Sequence, residues 1–235
     1  MKKLFLKFLS LSLAISFLFS MLFINNISAM EDIDKLSSES FIGEMPSEIF
    51  KEYINDTFSS FDKVTVMSKN NTNITAKFFN DNIKNFTNRD YVKIKAYVFD
   101  NVDTICIDES TSNKNTRSPF VNQNVSKTFY KTIKKDKAAG EVQFVISGSF
   151  VWDRANYHVI STSNAKLNIT YINFGRSWGT DINNISTNSK ITNDKLGATF
   201  SGSFSIRATY SVGILETQNV DCGTVSGSVT GYPNE

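Results

Sequence analysis

His158 is the single histidine in this chain of 235 residues, so it is the one imidazole base available to a serine or cysteine nucleophile. A Ser-His-Asp arrangement also needs a serine held on a strained turn, and no Gly-x-Ser-x-Gly elbow occurs. His158 stands between Tyr157 and Val159 in an alternating stretch and reads as a residue on the solvent face of a strand. Cys106 and Cys222 are the two thiols. Either they form a disulfide that ties the first part of the chain to its last strand, or Cys222 is simply core. One histidine and two cysteines are too few ligands for most zinc sites. Asp100, Asp103, Asp108 and Glu109 collect carboxylates, but they lack the alternating oxygens and the turn glycine of a calcium loop. They read as a solvated acidic end. Glu141, Asp153 and Asp181 are scattered and define no pair of acids for glycoside chemistry. No phosphate loop or dinucleotide fingerprint is present. The expectation is a protein that is not an enzyme and uses no metal or cofactor.

Binding has a stronger basis. Gly175-Arg176-Ser177-Trp178-Gly179-Thr180-Asp181 sets an indole and a guanidinium in a glycine-flanked loop. Sugars stack on aromatic faces and hydrogen-bond to Arg and Asp, and loops on a rigid scaffold are where binding residues concentrate. Arg176, Trp178 and Asp181 are therefore the candidate ligand-binding residues, unless Trp178 folds back to plug one end of the scaffold. The expected partners are a cell-wall or host glycan or a surface protein. Membrane action is the alternative. From Ala198 to Ile214, apolar Phe200, Phe204, Ile206, Ala208, Tyr210, Val212 and Ile214 alternate with a face that is almost all Ser and Thr. A transmembrane strand needs about 9–11 residues of such alternation, and barrel-forming toxins use hairpins of this kind. A soluble sandwich can host the same strand with bulges at Gly202 or Gly213.

The elements that must position these residues differ along the chain. Ten of the eleven glycines lie at or after Gly140. Helices avoid glycine and turns use it, so the first part reads as helical and the last as β. Ile49, Phe50, Tyr53, Ile54, Phe58 and Phe61 recur at helical spacing after Met45-Pro46-Ser47-Glu48, a helix start with Pro in the first turn. Asn73 is placed to cap a second helix with Ile74, Phe78, Phe79, Ile83 and Phe86 on its apolar face. Tyr91 to Val102 fits helix or strand; Asn88 and Asp90 as caps favour helix. Beyond Gly140, period two runs through 141–152, 157–171 and 198–214, and Val225 and Val229 mark a last strand. Turns are expected at 153–156, 174–179, 183–184, 193–194 and 218–219. Gly148-Ser149-Phe150 is echoed by Gly202-Ser203-Phe204, as two facing strands built alike would give. The fold class is α+β: a small helical N-terminal part followed by an all-β antiparallel sandwich.

The first 29 residues read as a signal peptide. Lys2, Lys3 and Lys7 open it, an apolar run follows from Phe8 to Ile24, and Ile27-Ser28-Ala29 offers small residues for cleavage near Ala29. Removing it leaves 22 basic against 23 acidic residues, so the whole-chain net charge of +2 resides in the leader. A near-neutral chain carries no global charge argument for nucleic acid. The expected location is secreted and extracellular. The expected divisions are 1–29 signal peptide, 30–107 helical part, 108–127 polar linker and 128–235 β-sandwich. Arg117, inside the linker, is a candidate protease site.

Gly140-Glu141-Val142-Gln143-Phe144, Ser147-Gly148-Ser149-Phe150, Ala198-Thr199-Phe200-Ser201-Gly202 and Thr116-Arg117-Ser118 together resemble a group of small exported proteins of Gram-positive bacteria with no assigned activity. The resemblance covers the C-terminal part. It implies a signal peptide and a β-sandwich, and it carries over no catalytic or binding residue.

Overall fold

The computed structural model describes residues 41–42, 44–112, 118–135, 138–175, 177–212 and 216–233. The expected signal peptide, Arg117 and Arg176 lie outside the described residues.

From Glu48 on, three helices form among the described residues as the spacing implies. α1 (Glu48–Ser59) starts at Ser47, whose side chain accepts from the Phe50 N–H at 3.1 Å. Ser47 is thus the cap and Pro46 lies just before it, not in the first turn. α2 (Thr75–Thr87) is preceded by Asn73, which accepts from the Thr75 N–H at 3.0 Å. α3 (Tyr91–Asn101) is capped by Asp90. Burying Phe50, Tyr53 and Ile54 of α1, Phe78 of α2, and Ile94 and Val98 of α3 gives the helices one common core. A helix of this length is marginal alone and depends on that burial.

Among the described residues, ten strands make two antiparallel sheets. The first contains β1 (Val64–Ser68), β2 (Val102–Asp108), β3 (Thr111–Ser112), β4 (Phe120–Lys135), β5 (Ala138–Asp153), β6 (His158–Thr162) and β7 (Lys166–Asn173). Its order is β1-β2-β4-β5, with β3 on β4. β7 and β6 lie end to end along the far edge of β5, pairing with 141–147 and 150–153. The second sheet is β10-β9-β8, from β8 (Gly179–Ile191), β9 (Ala198–Val212) and β10 (Glu216–Gly231). Its inner face packs on β4, β5 and β7 through Phe129, Phe144, Ile146, Phe150, Phe200, Phe204, Val225 and Val229. Phe129 stacks on Phe144 at 4.9 Å, and Phe204 meets Phe144 edge-on at 5.4 Å.

The first sheet is the middle layer. Phe129 points into the sandwich core, whereas Tyr130 points into the helical core, where it contacts Phe50 and Tyr53. Consecutive strand residues face opposite sides, so one strand serves both. The architecture is α+β, with a sandwich-like pair of sheets and the helices on the outer side of one of them.

Several expectations change. β1 and β2 lie within the part read as helical, and both join the first sheet. Residues 120–127, read as the end of a linker, are the first half of β4; Val121 and Val125 are buried there between exposed asparagines. Asn183-Asn184 is not a turn but a bulge inside β8, with Asn184 at φ 53°. Gln218-Asn219 lies within β10, paired with Tyr210 and Thr209. Gly202 is not bulged: it pairs in register with Thr187 and Gly227, and its missing side chain makes room for Leu167. Gly213 lies outside the described residues. The echo of Gly148 and Gly202 does mark facing strands, since Gly148 of β5 abuts the Phe200 ring of β9.

Candidate functional site

Trp178 sits between β7 and β8. The stem of its loop is fixed. Phe174 is buried in the sandwich core, directly over Gly140, where any side chain would collide with its ring. Gly175 takes φ 55°, a left-handed conformation that suits glycine, and its open side faces Phe41. The Ser177 N–H donates to the Phe174 carbonyl at 3.1 Å, and the Trp178 N–H donates to the Thr209 carbonyl at 2.7 Å. Tyr210 Oη donates to the same Phe174 carbonyl at 3.4 Å. On this stem the Trp178 side chain is 74% exposed. Phe174, not Trp178, closes that end of the sandwich. Asp181 is exposed on β8, opposite Arg207 of β9. Trp152 is core, as its strand face requires.

The two cysteines are free, buried thiols, so of the two alternatives the core placement holds and the disulfide is not formed. Cys106 is on β2 of the first sheet, between Thr65 and Phe129. Cys222 is on β10 of the second, at the bulge before Gly223. Both end in the apolar sandwich core. Burial pushes the Cys106 thiol up to about 11 and raises Cys222, so neither is a ready thiolate. His158 is half-buried at the start of β6, with Nδ1 3.2 Å from the Asn156 carbonyl. It pairs in register with Asp153, whose carboxylate instead accepts from the Ala155 N–H and from Asn156 Nδ2 and closes the turn. Those hydrogen bonds, chiefly that from Asn156, hold Asp153 below the usual carboxylate range. Asp103 pairs with Lys131 at 3.1 Å. Among the described residues, no group of three or more His, Cys, Asp and Glu side chains is placed to hold a metal ion.

The period-two reading missed a buried polar cluster. Glu141 is completely buried. Its carboxylate accepts from the Tyr130 hydroxyl, from Tyr171 Oη at 3.0 Å and from Ser47 Oγ at 3.4 Å. Lys95 of α3 is also buried; its ammonium donates to the Phe41 carbonyl at 2.7 Å and lies 4.0 Å from the centre of the Phe41 ring. Burial lowers the Lys95 pKa, and the charges of Glu141 and Glu44 oppose that shift. Burial, then the Glu141 charge and hydrogen bond, raise Tyr130 well above the ordinary phenol. Glu141 alternates with apolar Val142, so from sequence it reads as facing solvent; the helices cover that face. Glu141 and Lys95 are buried, Ser47 and Tyr171 half-buried at the edge, and the cluster fastens the segment before α1 to the first sheet.

Among the open concavities of the described residues, two border the sheets. One, of about 580 Å³, lies between α1 and the first sheet, with Asp56, Lys63, Glu109 and Gln143 among its lining. The other, of about 520 Å³, is a groove on the outer face of the second sheet, lined by Ser186, Asn188, Ser201, Ser203, Ser226 and Ser228. Hydroxyls bridge strands on this face, Thr199 to Thr230 at 2.9 Å and Ser205 to Thr224 at 3.1 Å. No described helix is long and apolar enough to cross a membrane. No family model, curated protein or solved structure matches the chain.

Proposed function

We propose that this is an exported, non-enzymatic binding module that engages a glycan or another surface component outside the cell. One observation carries the reading: an indole 74% exposed on a loop whose stem is hydrogen-bonded and anchored by a core phenylalanine. A rigid, solvent-facing aromatic offers stacking area with little ordering cost on binding. The hydroxyl and amide groove on the adjoining sheet has the chemistry to hydrogen-bond a polyol. Cell-wall fragments and host-type glycans immobilised as a panel test it. Trp178→Ala is expected to lose binding by about tenfold or more, an effect of the size expected for a buried aromatic anchor. Unchanged binding in the variant, or binding to nothing on the panel, sinks the proposal.

The β9–β10 hairpin favours a second reading, membrane insertion. Fifteen and sixteen residues long, its strands bury Phe200, Phe204, Val225 and Val229 on one face and carry mostly Ser and Thr on the other. Released from the sandwich, it has the length and the two faces of a barrel wall. Dye release from liposomes by the purified protein, at low protein-to-lipid ratio, is the expected signature. Intact vesicles at every ratio count against it.

A further inference from the structure

The β8 edge of the second sheet is open. β8 pairs with β9, and its other edge meets no strand among the described residues. It is exposed along nearly its whole length, with Ile182 38% and Ile185 62% exposed. Such an edge presents unpaired backbone donors and acceptors, a template for another strand.

The bulge in β8 decides which strand fits. Before it, Asp181 and Asn183 lie on the outer face with their partners Arg207 and Ser205; after it, Ser186, Asn188 and Lys190 do, with Ser203, Ser201 and Thr199. The outer face thus changes from odd-numbered to even-numbered residues. Directly opposed residues of an antiparallel pair project to the same face. To pair face to face along both sides of the bulge, two copies of β8 therefore need a register that matches an odd residue with an even one. The register centred between Ile185 and Ser186 does so. It sets Asp181 opposite Lys190 of the second copy, Asn183 opposite Asn188 and Ile182 opposite Ser189, and each contact occurs twice by symmetry. None of the four ion pairs among the described residues uses Asp181 or Lys190.

We propose that two copies of the chain join edge to edge along β8 in this register, making one six-stranded sheet. A single strand edge is a small interface, so the dimer is reversible. Sedimentation velocity of the purified protein over about two decades of concentration is expected to show a monomer–dimer equilibrium. Asp181→Lys and Lys190→Asp are each expected to weaken it about tenfold, and the double variant to restore it. Within one chain, nine residues of strand hold these groups roughly 30 Å apart, so restoration has no intramolecular route. Thermal unfolding of the variants records the separate cost of placing a lysine beside Arg207. A protein monomeric throughout, a dimer indifferent to either single change, or a double variant weaker than both singles overturns the proposal.

Discussion

At Cys106 the surroundings hold the thiol protonated. Burial between β1 and β4 is the main cause; Lys127 and Lys131 oppose it, Asp103 adds to it, and the pKa rises to about 11. An unfolded chain releases this proton nearer 9, the ordinary value. Below pH 9 both states hold the proton and the thiol's contribution to stability is complete. Between about pH 9 and 11 the unfolded state alone releases it, so stability falls as pH rises, by about 2–3 kcal/mol over the window. Tyr210, raised by burial to about 12, extends the loss further into alkali. Urea unfolding across this range is expected to show the decline, and Cys106→Ala to make it shallower between pH 9 and 11, the remaining slope coming from Cys222 and the buried tyrosines. An equal slope in the variant refutes the assignment.

Among the elements, β5 and β9 come together where Gly148 meets the Phe200 ring. Gly148→Ala is expected to destabilise by about 1–3 kcal/mol, since a side chain there displaces a packed ring. Gly179→Ala is the control: nothing lies within 4 Å of its added carbon, and the change is expected to be near neutral in denaturant unfolding. Equal stability of the two variants would contradict the close approach. Long alternation made β9 legible in the sequence, because seventeen residues of period two have no helical reading. β1 and β2 were not legible. Val64-Thr65-Val66 is too short to declare a period, and Ile105 to Ile107 is apolar on both faces because it stands between two cores, Ile105 and Ile107 in one and Cys106 in the other.

For the whole molecule, the shared sheet predicts one cooperative unit. β4 carries Phe129 into the sandwich core and Tyr130 into the helical core, and Glu141 of β5 is bonded to Tyr130, Tyr171 and Ser47. Helical circular dichroism and Trp152 fluorescence, read in a Trp178→Phe background, are expected to report the same unfolding midpoint. Two separated transitions would mean that the helices fold apart from the sheets.

Local pattern was enough to determine the class: helices where apolar residues recur at three and four, strands where they alternate, and glycine confined to the second kind. It also placed Trp178 in a loop and Trp152 in a core. Pattern reports only which residues share a face; it does not say what covers that face. Whether Glu141 meets water or two tyrosines depended on where the helices docked. Whether Trp178 closed the sandwich depended on Phe174 already filling that end, and whether Cys106 met Cys222 depended on which sheet each strand joined. Each of these is a contact between segments far apart in the chain, decided by which packing buries the most apolar surface without stranding a polar group.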